Sequence, residues 1–463
     1  MTNGVTLDVD LLRRYDRPGP RYTSYPTAPQ FVPGFDEQAL REAAKESNGD
    51  PIPRPLSVYV HVPFCTSPCF YCACNRVITR DRSRGAAYLA PLYGEIDLAA
   101  GLFDPDREVA QLHFGGGTPN FLAPAQLRDI VATLRRQFRF ANADDLDCSI
   151  ELDPRALRPS EVAELAAMGF NRASLGVQDF DPVVQGAVNR VQSVGETAAV
   201  VEACRRHGIG SVNIDLIYGL PHQTPGGFSK TLDIVLAMRP DRLAVYGYAH
   251  LPKLVKAQTR IDAAALPTRD VKLGLLQLTI ETLTAAGYVH IGMDHFALPD
   301  DELAVAQARG SLHRNFMGYT THAESDLIGL GVSAISHIGA TYSQNPRDIA
   351  SWQAAIEDGR LPVFRGMRMS VDDQLRAALV QQLMCQGEVA VGALERRYAI
   401  DFRSYFRDAL VRLQPLIADG LVQVEPDRIL ATSPGRLLLR NIAMCFDAYL
   451  GEDAIPTRFS RAI

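Results

Sequence analysis

The chain contains no apolar run approaching the roughly 20 residues a membrane-crossing helix requires, so no segment of it reads as a span. Its opening, MTNGVTLDVD, lacks a basic stretch followed by an apolar one, and no secretory leader is expected. Positive charge is scarce: 47 Lys and Arg face 53 Asp and Glu, a net charge of −6, which argues against a nucleic-acid partner. There is no internal repeat of fixed period and no low-complexity tract. The glycine triplet of HFGGGTP lacks both the G-x-G-x-x-G spacing of a dinucleotide loop and the G-K-[ST] of a phosphate loop. What remains is an ordinary globular composition, 47% apolar and 22% charged. Its 463 residues suffice for one large α/β core plus a smaller module, in a protein expected to be cytoplasmic.

Cysteine is unevenly placed. Cys148, Cys204, Cys385 and Cys445 are scattered, whereas Cys65, Cys69 and Cys72 stand as C-x3-C-x2-C in HVPFCTSPCFYCAC, with Cys74 just beyond. Clustered thiols in a reducing compartment indicate metal or redox chemistry rather than disulfides. A [4Fe–4S] cluster has four irons, and proteins usually supply four thiolates. Three close ligands leave one iron open to a small molecule. The step from Cys72 to Cys74 is tight for a fourth ligand, which favours a separate role for Cys74. Structural zinc usually takes two C-x2-4-C pairs or His partners. No second C-x2-C exists here, but His61 leaves a Cys3His zinc site open.

From Leu56 onward, β-rich runs at 56–64, 109–117, 147–154, 172–179, 211–221 and 242–252 alternate with helical patterns. Leu89, Leu92, Tyr93 and Ile96 mark one helical face, and another helix starts at Pro159-Ser160 and stops at Gly169. Strand–helix repeats in series imply parallel strands with right-handed crossovers. Chemically useful residues fall at nearly every strand end: Cys65, Gly115 to Gly117, Glu151, Gln178 and Asp215. A doubly wound sheet gathers ligands at one switch point, whereas a barrel uses all its carboxyl ends. The expected fold is therefore α/β, an incomplete (β/α)6 TIM-like barrel with an N-terminal arm and a mostly helical C-terminal domain. The expected boundaries are 1–50 for the arm, 51–362 for the partial barrel and its extension, and 363–463 for the helical domain. Proline density in RPGPRYTSYPTAPQF suggests an extended arm, with a disordered tail as the alternative. DQLRAALVQQLMC, YFRDALVRLQPLIADG and LVQVEPDRILAT suggest either a winged-helix module or, without a basic face, a helical cap.

Next to a cysteine cluster, the glycine triplet suits a backbone ledge gripping an amino-acid group. Glu151 is well placed to bind an ammonium or hydroxyl. Asp215, a charge ending an apolar strand, needs a partner when buried. A structural ion pair is the alternative for each acid.

The chain resembles the oxygen-independent coproporphyrinogen III oxidases, radical S-adenosylmethionine enzymes of haem biosynthesis. The likeness runs through RYTSYPTA, SVYVHVPFCTSPCFYCACNRVITR, HFGGGTPNFL, IELDPR, GFNRASLGVQDF, VNIDLIYGLPHQTP, GMDHFALPDDELAVAQ, LHRNFMGYTT and RNIAMCFD. It implies one [4Fe–4S] cluster on Cys65, Cys69 and Cys72, and two S-adenosyl-L-methionine molecules in one site. Tyr59, Gly116, Glu151 and Ile335 match residues around the first of these. Tyr71, Gly117, Thr118, Gln178, Arg190, Asp215 and Ala249 match those around the second. Cys74 matches a cysteine that is not a ligand but is associated with activity. Ala73, Tyr71, Phe114 and Ala443 depart from the residues the family often has there.

The resemblance implies oxidative decarboxylation of two propionates of coproporphyrinogen III to vinyl groups, through 5′-deoxyadenosyl radicals, giving protoporphyrinogen IX. A flavodoxin-type electron donor and a monomeric chain go with it, and neither nucleic acid nor membrane is an expected partner. Haem chaperones and porphyrin-opening methyltransferases share the scaffold, but Cys74, the arm and the MDHFALPDD block speak for the oxidase. Phe64, Phe70 and Tyr71 are the expected apolar walls that protect a radical. Arg21, Arg314 and Arg440 are candidates for the substrate carboxylates, with the arm as a lid.

Overall fold

Strand-forming residues with period-two alternation set the core of the molecule, a computed structural model that describes residues 8–323, 325–450, 459 and 461. Six strands, β1 (Leu56–Val62), β2 (Glu108–Gly116), β3 (Asp147–Leu152), β4 (Arg172–Gln178), β5 (Ser211–Tyr218) and β6 (Arg242–Gly247), lie side by side in chain order. Each is parallel to the next. Each run read as extended in the sequence holds one of them, with β2 starting one residue earlier, at Glu108.

On β3, β4 and β5 the alternation is plain. Cys148, Ile150, Ala173, Leu175, Val212 and Ile214 are buried, while Ser149, Glu151, Ser174, Gly176, Asn213 and Asp215 are only partly so. Because paired residues of a parallel sheet share a face, Glu151 aligns with Ser174 and Gly176 with Asp215. One face is therefore apolar and the other carries the polar row.

The apolar face is covered by helices α1 (Ser83–Ala100), α2 (Pro124–Gln137), α3 (Pro159–Ala167), α4 (Val194–Arg206), α5 (Pro225–Met238) and α6 (Arg269–Ala285). Proline opens α2, α3 and α5, where its missing N–H costs nothing. Ser193 and Glu196 cap α4 reciprocally. Gly169, with φ of 100°, follows α3 as its sequence suggested.

The sheet continues past β1 through Asp326–Leu330, which is parallel to it, and then through antiparallel strands Ile335–Ile338, Thr341–Gln344 and Arg365–Arg368. Past β6 come His295–Ala297 and Val289–Gly292. Among the described residues the twelve-strand path, with Arg139–Phe140 paired to β2 off it, ends at Val289–Gly292 and Arg365–Arg368 without joining them.

The first fifty residues are less extended than expected. Val9–Tyr15 and Glu37–Asn48 are helices. The second contains no proline, begins at an Asp36 cap that accepts from the Ala39 N–H at 3.0 Å, and buries Leu40, Ala43 and Ala44. Proline confines only the run between them, where a short 3-10 turn forms at Ala28–Gln30. Leu12, Tyr15, Tyr22 and Tyr25 join the apolar core of the C-terminal helices Val371–Gln386, Val391–Tyr398, Arg407–Ala418 and Leu439–Met444. The hairpin read in LVQVEPDRILAT is present as Val422–Val424 and Arg428–Ala431, joined by Glu388–Ala390.

At the amino end of the strands, Arg107 and Asp326 form a buried pair at 2.6 Å, each side chain 1% exposed. Arg107 also donates to the Arg54 carbonyl and Asn48 Oδ1, and Asp326 accepts from Ser47 and from the Gly339 N–H. Removing one partner strands the other charge, which costs about 3–5 kcal/mol. Arg107→Met should therefore lower the urea unfolding free energy by about that amount, and Arg107→Met with Asp326→Leu should recover much of the loss.

Candidate active site

The loop after β1 carries the thiols away from the strand. Cys65, Cys69, Cys72 and Cys74 border one cavity of about 180 Å³, together with Tyr71, Gly116, Gly117, Thr118, Glu151, Gln178, Arg190 and Asp215. The carboxyl ends of β1 to β5 thus deliver most of the expected residues to one place. Among the described residues no three thiols, imidazoles or carboxylates converge as ligands of a single metal ion do. The thiols instead stand around a cavity, the arrangement a cube requires when each thiolate caps a different iron.

Three guanidinium groups shape that cavity. Arg76 donates to the carbonyls of Cys72 at 2.8 Å, Cys69 at 3.2 Å and Cys74 at 3.2 Å, tying the loop to itself. Arg190 reaches Cys69 Sγ at 3.5 Å and the Gly176 carbonyl, and lies 3.5 Å from Asp153. Burial alone would weaken its charge, but Tyr71, Asp153 and Cys69 outweigh that and raise its pKa. Arg155 pairs with Asp153 at 2.6 Å. Arg76, Asp153 and Arg155 were not singled out in the sequence, where an Arg shortly after a cysteine and an Asp-Pro-Arg give only weak signals.

The thiols differ in character. Burial pushes Cys65 up to about 11, with Thr118 Oγ1 at 3.4 Å opposing it. Cys72 is drawn down to about 6, first by its hydrogen bond with Cys74 and also by Arg76. Cys74 is held well above its ordinary value by that same neighbour.

The glycines serve packing more than display. A Cβ on Gly116, whose φ is 115°, would lie 2.7 Å from the His61 ring, and one on Gly117 would lie 2.8 Å from the Pro63 carbonyl carbon. Their amides are already engaged: Gly116 donates to Glu151 Oε2 at 3.2 Å and Gly117 to the Val62 carbonyl at 2.8 Å. The ledge expected to present exposed N–H groups spends these two within the protein.

Tyr59 sits one step inward, stacked on His113 at 5.8 Å and bonded to His61 Nδ1 at 3.1 Å. The Ala249 carbonyl accepts from Gln258 Nε2 at 3.0 Å, and the same amide donates to the Tyr71 carbonyl at 3.1 Å. Ala249 borders a different cavity, of about 460 Å³, with Arg21 and Lys272. Ile335 lies on the strand beyond Gly329, which pairs with Tyr59, and packs near Phe31 and Tyr342. Neither Ala249 nor Ile335 borders the cysteine cavity.

Two of the expected apolar walls also lie elsewhere. Phe64, just past β1, points into the core against Tyr88 and Phe121, on the side where Val58, Val60 and Val62 are also buried. Phe70 packs with Val184 and Val188 under Arg260. Tyr71 alone of the three borders the cavity.

Three buried polar atoms here have no hydrogen-bond partner: Gln178 Oε1, Arg190 Nε and Arg76 Nε. Buried polar groups are nearly always satisfied, so a polar ligand suits this cavity. Thiols outside any disulfide, beside it, suit a cluster.

The chain matches the Radical SAM superfamily over residues 59–235 and the HemN C-terminal domain over 369–438. It is 52% identical to the oxygen-independent coproporphyrinogen III oxidase of Pseudomonas aeruginosa, covering 100% of both chains. It is 47% identical to the protein of that name from Escherichia coli, covering 99% of each. A solved structure described as coproporphyrinogen III oxidase (HemN) from Escherichia coli, a radical SAM enzyme, superposes with a TM-score of 0.91 at 46% identity, covering 96% of this chain and 100% of that one. The fold and cysteine loop define a radical S-adenosylmethionine enzyme, a class with a [4Fe–4S] cluster and S-adenosylmethionine as its cofactors. Within that class the chain belongs to the oxygen-independent coproporphyrinogen III oxidases.

Asp215 has a measurable signature. Burial, and then the nearby Glu151 carboxylate, raise it to about 6, while Asn213 at 2.8 Å and Ser174 at 3.2 Å oppose the shift. The folded chain therefore holds this proton more tightly than the unfolded one, in which Asp titrates near 4 (about 3.9). Stability is lost as pH rises between those values, and the deficit persists above them. In cluster-free protein, Asp215→Asn should be more stable than wild type by about 1–3 kcal/mol near pH 8, a range that allows for water in the cavity. Urea denaturation should show the difference shrinking towards about pH 4.

Proposed function

We propose that the chain converts two propionate side chains of coproporphyrinogen III to vinyl groups without oxygen, giving protoporphyrinogen IX for haem biosynthesis. The observation that carries this reading is the full-length match to oxidases of that name. The convergence of the cysteine loop and strand ends on one cavity supports it. Each conversion removes CO2, a hydrogen atom and an electron from one propionate.

Cys65, Cys69 and Cys72 would hold the cluster, whose fourth iron is left for the cofactor. When bound, cluster and S-adenosylmethionine supply a one-electron cleavage that yields a hydrogen-abstracting carbon radical. The protein's own part is placement. Arg76 fixes the thiol-bearing loop, and Arg190 and Arg155 place positive charge beside the Cys69 sulfur. Glu151 and Gly116, with Tyr59 and Ile335 behind them, suit the cofactor on the open iron. Tyr71, Gly117, Thr118, Gln178, Arg190, Asp215 and Ala249 suit a second S-adenosylmethionine beside it. Gln178 Oε1 and Arg190 Nε would gain partners on binding. Cys74, exposed at the rim, is free of cluster duty and stands as the catalytic cysteine.

The six parallel strands with their helices support an incomplete (β/α)6 barrel spanning 51–362, flanked by an arm at 1–50 and a helical domain at 363–463. A flavodoxin-type donor, a monomeric chain and a cytoplasmic setting complete the reading. No helix among the described residues is long and apolar enough to cross a membrane.

Protein purified without air should carry iron and sulfide and consume coproporphyrinogen III with S-adenosylmethionine and a reductant. Cys65→Ser, Cys69→Ser and Cys72→Ser should each lose both iron and product. Cys74→Ser should keep its iron and lose product, as read by metal analysis and chromatography of the porphyrins. Iron-free wild type, or turnover that survives Cys72→Ser, would rule the reading out.

A further inference from the structure

The three arginines singled out as carboxylate candidates have different fates. Arg440 spends its guanidinium on the carbonyls of Gly19, Pro20 and Arg461. Arg21 is neutralised by Asp294. Arg314 is different. It is 5% exposed, and its Nε and Nη1 have no hydrogen-bond partner. Among the described residues no carboxylate pairs with it. Its guanidinium carbon lies 4.8 Å from the Tyr319 ring centroid.

A buried cation without a counter-charge is costly, and proteins seldom keep one unless something anionic arrives. Arg314 borders a cavity of about 650 Å³ whose wall includes Tyr22, Thr23 and Ser24 of the arm, with Asn315 and Phe316. This cavity shares no lining residue with the one at the thiols. Tyr246 lies between the two regions: it is two residues beyond Ala244, the β6 partner of Asp215, and its ring packs on His295 at 5.8 Å, which packs on Tyr319 at 5.1 Å, the ring that Arg314 covers. A ligand reacting at the thiol cavity and extending past Tyr246 would bring a distant substituent to Arg314.

Resting on the function proposed above, we propose that Arg314 binds a carboxylate of the tetrapyrrole, on one of the two propionates that are not converted to vinyl groups. A planar guanidinium offering two parallel N–H groups matches a carboxylate bidentately. The residue thereby fixes which propionates face the thiol cavity.

The test uses the full chain, prepared without air, with Arg314→Gln and Arg314→Lys. Binding is read by fluorescence with coproporphyrin III and with mesoporphyrin IX, which keeps only the two unconverted propionates. Arg314→Gln should weaken both porphyrins by a similar factor of about 10 to 100. It should raise KM for coproporphyrinogen III comparably with kcat changed by less than about threefold, and Arg314→Lys should recover part of the loss. The ligand-free Arg314→Gln protein should melt at or above the wild-type temperature, because a binding residue held at a stability cost is relieved by its removal. Unchanged porphyrin affinity, weakening of coproporphyrin III alone, or a melting temperature several degrees below wild type would each overturn the assignment. If wild type binds both porphyrins but consumes no coproporphyrinogen, the functional reading fails while the binding comparison still decides the role of Arg314.

Discussion

A single buried guanidinium, that of Arg190, joins three parts of the chain that must meet for the site to exist. It touches the cysteine loop at Cys69, the end of β4 at the Gly176 carbonyl, and Asp153 just past β3. None of those partners is near another in sequence, so the contact forms only when β1, β3 and β4 are in register. A charge this deep is tolerable because thiol, carbonyl and carboxylate surround it. The same arrangement sets positive charge beside the Cys69 sulfur. Sheet register and the position of the Cys69 thiol are thus held by one side chain.

Buried charge is handled in two ways across the molecule. Where it serves the fold, it is fully satisfied. Glu95 on α1 accepts from the Gly331 N–H at 2.6 Å, Asn345 at 2.6 Å and the Trp352 indole at 3.0 Å, and so ties α1 to the strands that extend the sheet. Arg107 and Asp326 share a similar closed network. Where buried polar groups face a cavity, satisfaction is incomplete: Asp215 sits near another carboxylate, and Gln178, Arg190 and Arg314 carry unpaired atoms. Arg190 and Arg314 are nearly as buried as Arg107, so the difference lies in what the cavity is shaped to receive.

The strands were legible because period two is a local property. Val212, Ile214 and Leu216 alternating with Asn213 and Asp215 announce both a strand and which face is polar. The cysteine spacing was legible for the same reason, and so was the glycine after α3. The helix at Glu37–Asn48 was visible too, in a proline-free, well-capped stretch, but the neighbouring prolines dominated the reading of that segment. Less could be read where an outcome depends on distant partners. Phe64 stands just before the first cysteine of the motif and Tyr71 within it, yet one faces the core and the other the cavity, because the loop turns between them. Arg21, Arg314 and Arg440 look alike in sequence. Only the fold shows that Asp294 neutralises the first and that backbone carbonyls occupy the last.

The arm shows why a segment without regular structure need not be loose. Tyr22 donates to Asp447 at 2.9 Å, Tyr25 accepts from the Ala448 N–H at 3.0 Å, and both rings belong to the core of the C-terminal helices. Arg440 grips the carbonyls of Gly19 and Pro20 from the same side. Backbone groups that no sheet or helix satisfies are thereby satisfied by side chains. The prolines lower the entropy lost in fixing this path. The run from Pro18 to Tyr25 consequently acts as a wall shared by the two larger cavities, with Pro18 and Arg21 on one and Tyr22 to Tyr25 on the other. Removing it would open the C-terminal core as well as the cavities. The role of the arm in substrate binding is therefore better separated from its role in folding by single polar substitutions than by truncation.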